Sequence, residues 1–135
     1  MSTPESHELL TRIDELVSAT RKGSFQWRTL NPTTYLWERT DPARGGEGAR
    51  LTLQRVIQNV PQRPVPGQPL GSTRKAFFIL QVVEVKRGGG QSPMLTISGS
   101  DEPEVNQKLE ELFQQVSSGI SEAGLEFLKN LISQG

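Results

Sequence analysis

The chain contains no cysteine and a single histidine, His7, among its 135 residues. The first absence removes thiol nucleophiles, thiolate metal sites and disulfides, and it fits a reducing compartment. The second leaves His7 as the one imidazole available to a Ser-His-Asp triad, a general base or a histidine metal centre. The residues that follow, Glu8-Leu9-Leu10-Thr11, do not complete an HExxH zinc helix, so His7 reads as a solvent-facing helix residue. Long hydrophobic runs are missing too. The longest, Ala76-Phe77-Phe78-Ile79-Leu80, falls far short of the ~20 residues a membrane helix requires. Residues 1–8 are polar and lack the apolar stretch of a secretory signal. A soluble, cytoplasmic protein without a membrane partner is expected.

Apolar residues make up 33%, a low share, while 13 glycines and 9 prolines are many. A chain of this length forms one domain and needs no metal or disulfide to hold it. We therefore expect a single domain over residues 1–135 with a modest core and long loops. Net charge is zero but unevenly spread: residues 21–87 carry 12 Lys/Arg against 4 Asp/Glu, and residues 101–135 carry 2 against 7. A basic middle and an acidic tail can attract one another or an oppositely charged partner.

Thr3 and Pro4 have the chemistry of an N-cap and first helical residue. Leu9, Ile13, Leu16 and Thr20 then recur at helical spacing, and Gly23 supplies a left-handed stop. Three alternating stretches follow, Ser24–Thr29, Thr33–Thr40 and Arg50–Ile57. Then comes Ala76–Lys86, apolar on both faces like a central strand covered on both sides, or on one side and partly occluded on the other, and Met94–Ser98 is the last strand. Between the third and fourth, residues 58–75 hold Pro61, Pro64, Pro66 and Pro69, which predicts a long loop or flap. Asp101 with Glu104 forms a capping box for a second helix bearing Val105, Leu109, Leu112, Phe113 and Val116. Gly119 is expected to end it, and Ser121 to cap a third helix with Leu125, Leu128, Leu131 and Ile132 on one face, Ile120 stapling to Leu125. The fold class predicted is α+β: an antiparallel meander of four to five strands, one N-terminal helix and two C-terminal helices, in the order α-β-β-β-β-β-α-α.

The segment Leu9-Leu10 to Ala19-Thr20, then Gly23 and Trp27, resembles the opening of a group of small bacterial α+β proteins. A Tyr-bearing strand, further strands and a Leu-Phe helix like Leu112-Phe113 extend the likeness over most of the chain. The proline-rich 58–75 stretch departs from it. The resemblance implies a fold and carries no activity.

Candidate chemistry is sparse. Arg44-Gly45-Gly46-Glu47-Gly48 and Arg87-Gly88-Gly89-Gly90 match neither GxxxxGK[ST] nor GxGxxG before a helix, and read as hairpin turns. The adjacent acidic pairs Asp14-Glu15, Asp101-Glu102 and Glu110-Glu111 diverge by about 100° on a helix. Glu38 and Glu84 are the pair whose convergence would revive a hydrolase. No catalytic residue, cofactor or metal is expected. The aromatic and basic strand residues allow two readings. Trp27, Tyr35 and Trp37, interleaved with Arg28, Arg39, Arg50 and Arg55, have the composition of a base-stacking platform for single-stranded nucleic acid. The same aromatics equally suit the layer between sheet and helices. The second reading is preferred, and with it a non-enzymatic interaction or accessory protein with a protein partner. A homodimer built by the C-terminal helices is one form of that partner.

Overall fold

The computed structural model describes residues 4–61, 66, 67, 71–100 and 102–134. The expected caps Thr3 and Asp101 lie outside these residues. Helix α1 (Pro4–Arg21) ends where its sequence says it should. Gly23 has φ 84°, its N–H donates to the Thr20 carbonyl at 3.1 Å, and the Ser24 N–H reaches back to the Ala19 carbonyl at 3.0 Å. That double bond pattern is a Schellman motif, which needs the positive φ that glycine adopts without penalty.

Five strands then form one antiparallel sheet in sequential order: β1 (Arg28–Asn31), β2 (Thr34–Asp41), β3 (Glu47–Pro61), β4 (Ser72–Val85) and β5 (Gln91–Ser98). Helix α2 (Pro103–Gln134) closes the chain order. The predicted α+β class and antiparallel meander are therefore observed. The register sets the two faces. One row runs Tyr35↔Leu53↔Leu80↔Ile97, and the next Trp37↔Leu51↔Val82↔Leu95. Both rows face the helices. The intervening row, Leu36↔Thr52↔Gln81↔Thr96, belongs to the opposite face, which no helix covers.

The core sits between the first face and the two helices. Ile13 and Val17 of α1 and Val105, Leu109, Leu112 and Val116 of α2 pack on Leu53, Phe78, Leu80 and Ile97. The helices lie side by side and parallel. Lys108 Nζ meets Asp14 Oδ1 at 3.1 Å, and Arg21 Nε donates to Gln115 Oε1 at 3.4 Å, so seven residues along α1 match seven along α2. The Lys108 ammonium is held above its ordinary range, first by its hydrogen bond to Asp14 and then by that to Glu111. That contribution is present at neutral pH and falls away as strongly alkaline conditions remove the ammonium proton.

One joint fixes α2 to the sheet. Strand β5 leaves β4 after the Ile79↔Ser98 pair. The Asn106 side chain takes over where it departs: Oδ1 accepts from the Phe78 N–H at 3.0 Å and Nδ2 donates to the Ala76 carbonyl at 3.2 Å. A carboxamide carries the same donor and acceptor as a peptide group and can stand in for a strand. Gly99 makes the approach possible, since a Cβ there would lie 2.8 Å from Asn106 Cα.

Two expectations are corrected. The two C-terminal helices are one continuous helix of 32 residues. Gly119 has no positive φ, and glycine inside a helix costs only about 1 kcal/mol relative to alanine, too little to stop a helix already under way. Ser121 therefore caps nothing, and Leu125 projects into solvent instead of stapling to Ile120. The first strand begins at Arg28 rather than Ser24. Phe25 and Trp27 alternate in an extended connection, and a ladder partner is first available at Arg28↔Leu36. At the two ends of the proline-rich stretch, residues 58–61 and 72–75 pair as strand, with Gln58↔Lys75, Asn59↔Arg74, Val60↔Thr73 and Pro61↔Ser72 prolonging the β3–β4 hairpin. No helix covers this arm. Its sequence consequently lacks the alternation that marks a half-buried strand. Pro64 and Pro69 lie outside the described residues.

Candidate interaction surface

Aromatic residues line the space beneath the helices. Trp27 is 8% exposed, and its indole N–H donates to Thr20 Oγ1 of α1 at 3.1 Å. Trp37 lies against Phe25 with ring centroids 4.6 Å apart, and Tyr35 against Phe113 at 4.8 Å. Phe113 also meets Phe78 at 5.2 Å. These tilted pairs are the geometry that ring quadrupoles favour in a packed layer.

The seven residues with the composition of a base-stacking platform do not share one surface. Arg28 and Arg50 point to the uncovered face, since Arg28 pairs with Leu36 and Arg50 with Glu38 and Val83. Arg50 is engaged there, with Nη2 at 2.7 Å from Glu38 Oε2. Trp27, Tyr35 and Trp37 lie on the helix side, as do Arg39 and Arg55 at its two uncovered ends. Arg55 borders a cleft with Phe113 and Glu110 of α2. Arg39 borders an open cleft of about 650 Å³ with Trp37, Arg44, Glu47 and Glu84. The two carboxylates singled out as a potential pair are on opposite sides of the sheet: Glu38 neighbours Arg50 and Val83, while Glu84 is one residue out of phase with them.

The glycine-rich segments hold each other. The Gly88 N–H donates to the Gly45 carbonyl at 3.1 Å, and a Cβ on Gly45 would fall 2.7 Å from Arg87 Cγ. His7 is exposed on α1. Among the described residues, no group of three or more His, Asp or Glu side chains is arranged to hold a metal ion, and no helix is long and apolar enough to cross a membrane.

The surface feature that stands out is the far half of α2. Through Val116 the helix lies on the sheet and α1. From Ser121 to Gln134 every residue is exposed. This overhang spans about 20 Å at 1.5 Å per residue. It carries Leu125, Phe127, Leu128, Leu131 and Ile132 at 67, 66, 50, 51 and 71% exposure. Scattered apolar residues are normal on a protein surface, whereas a contiguous patch of large ones marks an interaction site.

At about 100° per residue, Leu125, Leu128, Leu131 and Ile132 occupy a different stripe from the one that enters the core, while Phe127, about five turns beyond Leu109, continues the core line. Val105, Leu109, Leu112 and Val116 cluster on one line. The overhang's apolar arc is centred between Gly124 and Leu128, roughly 110° around the helix from that line. Glu122, Glu126 and Lys129 gather on the remaining side. The far half is thus amphipathic in its own right, with an apolar arc about 160° wide.

Leu125, Leu128, Leu131 and Ile132 were legible in sequence as one helical face. Their exposure was not, because periodicity reports which residues share a face and not what covers it. The signal available was length. A 32-residue helix extends about 48 Å, while α1, its neighbour, has 18 residues and stops beside Gln115. Compared with protein families, with curated proteins and with solved structures, the chain finds no match.

Proposed function

We propose that this protein is a non-enzymatic interaction module whose working part is the overhanging half of α2. The sheet and the two parallel helices act as a rigid base, and the base holds an amphipathic helix out for a protein partner. A helix laid by its apolar face into a complementary surface is a recurrent mode of recognition. The observation that carries this reading is the exposure of five large apolar side chains, 50–71% each, within eight residues. Leaving them in water forgoes about 1.5–3 kcal/mol per side chain, a cost that a partner relieves.

A photo-crosslinking amino acid placed at Phe127, on the apolar arc, is expected to give discrete protein adducts in the cells that make this protein. The same group at Glu122, on the charged side, is expected to give none. Equal labelling from both positions, or none from either, overturns the reading.

Binding of single-stranded nucleic acid is the rival, and it asks for aromatic faces and cations on one accessible surface. Here Trp27 is bonded to Thr20 beneath α1 and Arg50 is paired with Glu38 on the far side of the sheet. Titration with oligonucleotides at low salt is therefore expected to leave tryptophan emission unchanged. A quench that weakens steeply as salt is added reinstates the rival.

A further inference from the structure

Resting on the reading of the α2 overhang as a docking element, we infer that its occupant is a second copy of this chain, bound as an antiparallel, two-fold pair of overhangs. Three observations point this way. The first is area. Five side chains that are 50–71% exposed, at on the order of 200 Å² each, present roughly 600 Å² per copy. Two copies together then remove about 1,200 Å² from water, which reaches the lower bound for a specific interface. A two-fold pair meets that bound with one patch used twice.

The second is Gly124. It sits near the centre of the apolar arc, and a Cβ built there meets nothing within 4 Å in its own chain. Glycine in mid-helix is a liability, and no contact within the protomer requires it. An antiparallel pair does. With the two-fold axis near residue 126, Gly124 faces Leu128 of the partner subunit. The missing side chain then becomes the recess that receives leucine.

The third is the groove at the root of the overhang. It lies between α2 and the segment that follows α1, has a volume of about 560 Å³, and is lined by Phe25, Trp27, Gly119, Ile120 and Ala123 among others. The same axis places Ile132 of the partner subunit opposite Ile120, at this groove. An apolar arc of about 160° is too wide for one facing helix to cover. A facing helix plus the groove beside it covers more of that arc. The charged residues Glu122, Glu126 and Lys129 stay outside.

Sedimentation equilibrium of the full chain tests the pairing. The expected mass is twice 14.9 kDa at concentrations of about 10–100 µM, falling to one copy on dilution by mass action. Leu128→Glu is expected to sediment as a single copy throughout that range with an unchanged far-ultraviolet spectrum, because Leu128 is half exposed and lies outside the core cluster of its own chain. The chain has no cysteine, so introduced thiols report geometry directly. An equal mixture of Gly124→Cys and Leu128→Cys chains is expected to oxidise mainly to the mixed disulfide. Preferential cross-linking of each variant to itself indicates a parallel pair and overturns the arrangement. A wild-type chain that sediments as one copy at 100 µM overturns the dimer. In that event, discrete adducts from Phe127 to another protein leave the docking reading standing with a different occupant, and the absence of adducts removes both.

Discussion

Truncating Leu109 to alanine is expected to lower the unfolding free energy by about 2–5 kcal/mol, and the same change at Leu128 by less than about 0.5 kcal/mol. Both are leucines in α2, and both changes remove the same atoms at nearly equal helix propensity. They differ in what surrounds them. Leu109 is 0% exposed and lies in the cluster formed by α1, α2 and the sheet. Its removal forfeits transfer free energy and leaves a cavity that a parallel helix pair over a five-stranded sheet can close only in part. Leu128 is 50% exposed and takes no part in that cluster. Urea unfolding at dilute protein, below any self-association, reads both values. A cost at Leu128 close to that at Leu109 means that the overhang packs on its own domain, contrary to the exposures described here.

The second large effect is expected where α2 meets β4. Asn106→Ala removes the acceptor of the Phe78 N–H and the donor to the Ala76 carbonyl. An unmet backbone donor in a part-buried position costs about 1–3 kcal/mol. Gly99→Ala attacks the same joint from the other side. Its Cβ would lie 2.3 Å from Asn106 Oδ1, 2.8 Å from Asn106 Cβ and 2.8 Å from Asn106 Cα. The oxygen can swing aside, but the Cα belongs to the helix. The helix must move, at a cost of about 1–3 kcal/mol. The double variant separates the two causes. Asn106→Ala deletes the oxygen and keeps Cα and Cβ, so Gly99→Ala should remain costly in that background. If the combined loss equals that of Asn106→Ala alone, the crowding comes only from the amide oxygen and the close strand–helix approach is not the constraint.

The element types were legible in the sequence for physical reasons that individual residues make plain. Leu9, Ile13 and Leu16 with Gly23 specify α1 and its end, because a helical stripe followed by a residue able to take positive φ has few other readings. Leu51 and Leu53 specify β3 by alternating against one covered face, and the run from Phe77 to Val83, apolar on both faces, specifies β4 as a central strand. What failed were boundaries without a covered face to mark them. Residues 58–61 and 72–75 pair with each other in the open, so nothing in their apolar pattern announces a strand. Gly119 read as a terminator because glycine ends many helices, yet it does so through a left-handed conformation that this residue does not adopt. Register decides which side of the sheet the aromatics take. A shift of one residue would have turned Tyr35 and Trp37 to the uncovered face, and composition alone cannot distinguish the two settings. The overhang lay beyond reach for a related reason: sequence assigned its leucines to a face but held no measure of where the sheet beneath them stops.

The side-by-side placement of α1 and α2 bears on how the molecule is made. Asp14 finds Lys108 and Arg21 finds Gln115, each 94 positions away. Synthesis proceeds from the amino end, so α1 and the whole meander emerge before the segment that covers Ile13, Val17, Leu53 and Leu80 exists. Nascent chains must therefore carry an apolar sheet that only α1 can cover until Val105 to Val116 arrive to seat upon it. Contacts of such long range slow folding and prolong the interval in which greasy surface invites aggregation. Asn106, near the start of the arriving helix, meets the edge of β4 early in that docking. Its two amide bonds are then positioned to set the alignment before the rest of the helix settles.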